Sequence, residues 1–294
     1  MFGHRSDGKL IRDIDPIISL TPYIMPMRCD AQVMLDLKVP LDKLARYIVE
    51  KGNEGKKISF MELVIAAYVR TVSQLPEINR FIQNRRIYAR TQLSVSFALL
   101  QDTGSDKIAE NTVKVYFKPD DTLFDVADRV NRIIEENRPM EEENSTLKVA
   151  KVLLRPFLAK TVVAVAKFMD NHGMLPGYLL NASPFHTSMF LTNVASIGLP
   201  AVKHHIYNFG TTSMFFSIGS PVREIEIRDG KAVRVRYLPA GIVVDERIAE
   251  GAVFAKMYAS MMKYLNEPSL LEEPPEKVCY DEGNVYGLPK YAKY

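Results

Sequence analysis

Residues 242–268 read IVVDERIAEGAVFAKMYASMMKYLNEP, an apolar strand, a tight acidic turn and a helix that stops at Asn-Glu-Pro. The run through Val244 has the β-branched character of a buried strand, predicted over 240–245. Beyond the turn, Val253, Phe254, Met257, Met261 and Leu265 recur at helical spacing. They predict a helix over 252–265 with one face on a core. Pro268 cannot continue that helix. Asp245, Glu246, Arg247 and Glu250 therefore gather at the end of a core strand, and Gly251 is expected to permit close packing where the turn enters the helix.

Working outward, Asp229-Gly230 joins 222–228 to 231–238 as a hairpin, because this dipeptide readily takes two positive φ angles. Segments 187–197 and 211–219 read as buried strands. Residues 30–38 alternate polar and apolar side chains, the mark of a half-buried strand. Pro40 opens a helix that stops at Gly52. Ser59 with Glu62, and Thr122 with Asp125, have capping-box spacing ahead of two further helices. Strands are expected over 85–100 and 111–117, with turn residues at Asp102 to Ser105. MEEEN at 140–144 reads as a solvated connection, and 146–172 as one or two apolar helices divided near Pro156. Pro16, Pro22 and Pro26 predict an irregular segment over 1–29, and 271–294 reads as a C-terminal tail. This order predicts an α/β, two-layer sandwich with helices packed on one large mixed sheet. Its body is 30–270, with a helical insertion at about 145–180.

At 294 residues and 47% hydrophobic, the chain can bury a substantial core. Its net charge of +3 is spread along the sequence, which speaks against a nucleic-acid-binding face. Two cysteines, Cys29 and Cys279, cannot build a disulfide framework, so a reducing cytoplasm is expected. The polar start MFGHRSDGKLIRD lacks the form of a secretory signal. Lys151, Arg155, Lys160, Lys167 and Asp170 interrupt the longest apolar region, so no membrane span is expected. No metal-ligand spacing, GxGxxG, P-loop or GxSxG occurs.

Three stretches, in order, resemble the chloramphenicol acetyltransferase-like family, which includes the catalytic domain of the dihydrolipoyl acyltransferases of 2-oxo acid dehydrogenase complexes. Leu75, Pro76, Glu77, Ile78 and Asn79 are similar to the Pro-Glu-Leu-Asn helix ending of that family. MFLTNVASIG at 189–198 resembles its Phe-Thr-Ile-Ser-Asn-Leu-Gly strand, with Thr192 and Asn193 on the Ser-Asn pair. The turn DERIAEG resembles Asp-His-Arg-x-x-x-Gly, with Asp245, Arg247 and Gly251 in register. Glutamate replaces both the catalytic histidine, as Glu246, and the motif aspartate, as Glu250. Glu246 follows Thr192 at a separation of 54 positions, about the family spacing.

The resemblance implies acyl transfer from a coenzyme A thioester to a small-molecule acceptor. It further implies a homotrimer with sites at subunit interfaces, and no covalently bound cofactor. Thr192 would donate to the tetrahedral oxyanion, or else be a strand threonine bonded to nearby backbone. Asn193 would contact the coenzyme A substrate. Glu246 would replace the histidine base if burial raised its basicity, since a solvated carboxylate and a thiol differ by roughly four pKa units. Without burial it is a charged turn residue, and the chain an inactive trimeric scaffold. Glu250 is expected to brace the turn through an arginine, Arg5 or Arg12 ahead of Arg28. His204 and His205 in HHIYNFG offer a second pair of candidate bases, with a structural role as the alternative. No lipoyl domain precedes the body, which reads as a free-standing domain, and the tail after Asn266 is expected to cap the surfaces that assembly beyond a trimer would use.

Overall fold

The computed structural model describes residues 5–102, 108–137 and 158–283. The N-terminal segment, expected to be irregular, carries β1 (Gly8–Leu10) and α1 (Pro16–Ile24). Asp15 caps α1 by accepting from the Ile17 backbone N–H, and Pro16 occupies the first turn, where no partner is needed. Pro22 lies inside the helix and lacks the N–H that would reach the Ile18 carbonyl. The Thr21 hydroxyl donates to that carbonyl instead, at 2.8 Å. The prolines here shape a short helix rather than abolish it.

Next come β2 (Gln32–Pro40), α2 (Leu41–Asn53) and α3 (Phe60–Gln74). Ser59 and Glu62 close a complete capping box on α3, whose side chains are buried from Glu62 to Ser73. β3 (Arg80–Gln83), β4 (Arg86–Arg90), β5 (Leu93–Asp102), β6 (Ile108–Phe117) and α4 (Leu123–Glu136) follow, α4 with its own Thr122–Asp125 box. The single strand expected over 85–100 is in fact two strands in different sheets. The chain changes sheet at Thr91 and Gln92, whose backbones are held by Asp7 and by the Asn79 amide. α5 (Leu158–Asn171) and α6 (Gly177–Ala182) confirm helix in the later part of the expected insertion. Its earlier part, Pro156 and the MEEEN stretch fall outside the described residues, as do the turn beyond Asp102 and the tail beyond Gly283.

β7 (Met189–Asn193), β8 (Met214–Ile218), β9 (Val222–Arg228), β10 (Lys231–Asp245) and α7 (Gly251–Asn266) complete the chain. β10 merges the two strands expected on either side of Pro239 and pairs with β9, β8 and β2. The hairpin bend uses Asp229 at φ 51° and Gly230 at φ 75°, the two left-handed residues that a tight hairpin needs. A three-stranded sheet has the order β1-β4-β3; the large sheet runs β2-β10-β8-β7-β5-β6, with β9 added on β10. β5, β7 and β8 are parallel to one another, and the remaining pairings are antiparallel, so the large sheet is mixed.

The main core lies between one face of this sheet and helices α2, α3, α4 and α7, uniting Phe97, Leu191, Phe216 and Val244 with Leu63, Val69 and Met257. The opposite face has a smaller cluster of Phe190, Ile206, Phe215 and Val243. There the segment after β7 lies against the strands so closely that a Cβ on Gly219 or Gly241 would collide with the backbone of Ala201 or Val202. The first residues of the C-terminal tail are pinned to the body: Arg80 pairs with Asp281 at 2.6 Å, and Cys279 donates to the Ser73 carbonyl. Among the described residues no helix is long and apolar enough to cross a membrane.

Candidate active site

Thr192 stands near the end of β7, in register with Ser217 of β8. Alternation along β7 puts it on the same face as Phe190, away from the main core. Its Oγ1 is buried and has no hydrogen-bond partner among the described residues. Among these residues it does not bond nearby backbone. A buried hydroxyl without a partner is costly and leaves a donor free for a ligand. Asn193, next along, is exposed at the strand end.

His204 is half-buried on this same face. Its ring lies 4.7 Å from that of Phe215, and Phe215 stacks on Phe190 at 4.9 Å. Its Nε2 is buried and has no partner among the described residues. Burial, with the neighbouring His205, lowers its pKa, which keeps the imidazole neutral near pH 7. His205 is exposed and meets Tyr207 edge-on at 5.2 Å.

The turn after β10 departs from expectation in three ways. Glu246 is exposed, so the burial that would strengthen it as a base is missing within one chain. It lies on the rim of a cavity of about 420 Å³ whose other walls include Val33, Leu35, Phe254 and Tyr258. Glu250 is exposed and forms no ion pair among the described residues. Arg5 pairs instead with Asp7 and Asp170, both at 2.8 Å, and Arg12 points to solvent. The buried Asp245 is the carboxylate that draws the arginines. Both of its oxygens bond Arg247 at 2.7 Å, and Arg28 Nε lies 3.9 Å away. A fully buried aspartate wins over an exposed glutamate because its attraction to a guanidinium is screened far less. Gly251 makes no close approach: a Cβ there would meet nothing within 4 Å.

Thr192 and Glu246 lie at opposite ends of the sheet. Thr192 is level with Gly241 on β10, through Ser217. Glu246 comes five residues later on a strand two places away, roughly 19 Å distant by ideal strand geometry. One chain does not bring the two side chains together.

Sequence reading missed a buried polar network behind the turn. Asp170 ties Arg5 to Gln83 and lies 3.2 Å from His186 Nε2, too poorly aligned for a good hydrogen bond. His186 Nδ1 meets Ser183 Oγ at 2.7 Å. Burial lowers the His186 pKa more than Asp170 raises it. For Asp170, burial pushes upward, but His186 and Arg5 more than offset it and hold the carboxyl below its usual range. Lys114 donates to the carbonyls of Leu180 and His186, and burial, aided by Arg90, lowers its pKa to about 7. Only the polar residues within otherwise apolar stretches, such as Lys114 and Gln83, could have hinted at this network. Among the described residues no group of His, Cys, Asp or Glu has a metal-holding arrangement.

Three solved structures share this architecture. A probable dihydrolipoamide acetyltransferase from Listeria monocytogenes 4b F2365 is 13% identical, aligns over 87% of this chain and 94% of its own, and has a TM-score of 0.54. The cubic core of the pyruvate dehydrogenase multienzyme complex is 13% identical over 90% of this chain and 94% of its own, with a TM-score of 0.55. A chloramphenicol acetyltransferase is 13% identical over 88% of this chain and 99% of its own, with a TM-score of 0.52. The chain therefore has the α/β two-layer fold of the chloramphenicol acetyltransferase-like acyltransferases. No family model and no curated protein sequence matches it.

Proposed function

We propose that this protein transfers an acyl group from a coenzyme A thioester to the hydroxyl or thiol of a small acceptor, at sites shared between the chains of a homotrimer. The observation that carries this reading is the buried, unpartnered hydroxyl of Thr192 at the end of a central strand of this fold. The acceptor gives its proton to a base as it attacks the thioester carbonyl. Thr192 donates to the tetrahedral oxyanion, and Asn193 beside it contacts the coenzyme. The intermediate then expels the coenzyme A thiolate, which takes the proton back from the base.

Glu246 of a neighbouring chain is the base in this scheme. β2 is an edge strand of the large sheet, and the apolar cavity beside Glu246 opens along it. A second chain lying over that edge would bury the carboxylate in apolar surroundings, the condition under which a carboxylate becomes a stronger base. Coenzyme A is a substrate here, and no resident cofactor takes part. The free cysteines, one of them exposed, suit a reducing cytoplasm.

A second reading, a trimer of the same fold that binds without catalysis, is favoured by one feature. Glu250 does not brace the turn that holds residue 246. Release of free thiol from acetyl-coenzyme A, with a panel of alcohols, amines and thiols, separates the two. We expect turnover that falls about 100-fold or more in Thr192→Val, the usual loss for an oxyanion donor, and that collapses in Glu246→Gln. Full turnover in Glu246→Gln with loss in His204→Ala would transfer the base role to His204, and His205→Ala serves as the exposed control. Neither turnover nor coenzyme A binding would leave the scaffold.

A further inference from the structure

Helix α5 reads LAKTVVAVAKFMDN, a largely apolar sequence that the body hardly covers. At about 100° per residue its side chains fall into three stripes. Ala159, Val162, Ala166 and Met169 face the body and are half-buried, with Asp170 fully buried beside them. Asp170 is the only acidic residue of the helix, and it is held by Arg5 at 2.8 Å and by Gln83. Thr161, Val165 and Phe168 form a second stripe that faces outward, with Val165 51% and Phe168 57% exposed. Lys160, Ala164, Lys167 and Asn171 form the third, exposed throughout. An apolar ridge therefore runs beside a basic one, and neither carries a carboxylate. Neither lysine forms an ion pair among the described residues.

Exposed apolar side chains gathered in this way mark a surface that something else covers. The charge pattern indicates what covers it. From Asn144 to Arg223 the sequence contains one acidic residue, Asp170, and that one faces the body. An apolar layer with a negative face answers both ridges at once, and this is what an anionic bilayer presents. A peptide would need a groove or a strand edge, whereas the outward side of a single helix is convex and meets a plane along its length. The chain just beyond the helix keeps the same character, with Met174, Tyr178 and Leu179 all exposed.

We propose that α5 docks this protein on an anionic membrane surface, lying in the plane of the lipid interface. Val165 and Phe168 enter the boundary between headgroups and acyl chains, and Lys160 and Lys167 pair with lipid phosphates. The buried Asp170 fastens the end of the helix to the body through Arg5. This docking involves no step of acyl transfer.

Flotation of the whole chain with phosphatidylcholine vesicles containing about a third phosphatidylserine, against phosphatidylcholine alone, tests it. The expected result is binding to the anionic vesicles that weakens as salt rises. Lys160→Gln with Lys167→Gln should weaken it about 25-fold, at about fivefold per lysine. Val165→Ser with Phe168→Ser should weaken it at least about tenfold, through the lost apolar burial. The same charge change on α7, Lys256→Gln with Lys263→Gln, should bind as the parent does. The chain has no tryptophan, so Phe168→Trp provides a single reporter whose emission should shift to the blue on the vesicles. No binding to anionic vesicles overturns the proposal, and so does binding that both double variants of α5 retain in full. Binding with an unshifted Phe168→Trp emission also overturns it, because the helix then stays in water. Binding to poly-glutamate but not to vesicles, lost in Lys160→Gln with Lys167→Gln, would make this a protein-docking face and overturn the lipid assignment. Vesicle binding without acyl transfer would sink the proposed function and leave the docking intact; acyl transfer without vesicle binding would do the reverse.

Discussion

Lys114 shows how much of the interior depends on single residues. It is a part-buried ammonium group on the outer face of the sheet, donating to two backbone carbonyls. Burial, then Arg90, moves its pKa down to about 7, whereas the unfolded chain holds the proton to about 10.4. Between those values the unfolded chain binds more protons, so folding stability rises with pH across that window and falls as pH drops toward 7. The size of the effect is on the order of 5 kcal/mol. Lys114→Met removes the titration, and its urea-unfolding stability between pH 7 and 10 should be much flatter than the parent's. A parallel slope in the two proteins would show that the ammonium is not confined. The strand that carries Thr192 and the turn that holds Asp245 and Arg247 were legible at this scale. The arginine partners were not. Arg28 reaches the Ile82 carbonyl and Gln83, and Arg247 reaches the Met25 carbonyl, contacts that span 54 to 222 residues. No local pattern records such meetings, which is why the brace was sought at Glu250 and found at Asp245.

Elements were the most legible level, because their determinants lie within a few residues of one another. Both capping boxes, the Asp229-Gly230 bend and the apolar stripe of α7 appear where spacing placed them. The failures also have local causes. α1 was hidden by Pro22, and it exists because the Thr21 hydroxyl satisfies the carbonyl that the proline leaves open. The bend between β4 and β5 was hidden because Thr91 and Gln92 carry no glycine or proline, and distant groups hold their backbones. Capping has a measurable consequence in α3, the most buried helix. Ser59 accepts from the Met61 backbone N–H, while Glu62 accepts from that of Ser59 at 2.7 Å. Ser59→Ala should cost about 1 kcal/mol, read as a lower denaturation midpoint with an unchanged slope. An unchanged midpoint would mean that packing alone holds the first turn.

The whole molecule has a surface that a single chain does not explain. In the β9–β10 hairpin the exposed positions are apolar: Ile225 and Ile227 are 71% and 73% exposed, while Glu224 pairs with Lys38 of β2 and Glu226 with Arg228. Ile225 lies opposite Arg234 and Ile227 opposite Ala232, so the outward face is apolar at its centre and basic at its flank. Strands expose such isoleucines where another surface covers them. The hairpin projects beyond β8, on the sheet that holds Thr192, while Glu246 waits roughly 19 Å away at the other end. Shared sites require chains to meet so that one strand end faces the next chain's turn, and a sticky hairpin is a means of fastening them. A trimer of 33.3-kDa chains would run at about 100 kDa by light scattering. Ile225→Glu with Ile227→Glu should reduce that mass toward a single chain while leaving circular dichroism unchanged, since neither side chain packs in the core. On the proposed shared-site mechanism, acyl transfer should fall with the mass, because Thr192 of one chain and Glu246 of the next would be parted. A parent protein that runs as a single chain would separate those two residues for good, and with them the shared-site mechanism. A trimer that survives both glutamates would move the contact to another face and leave the mechanism standing.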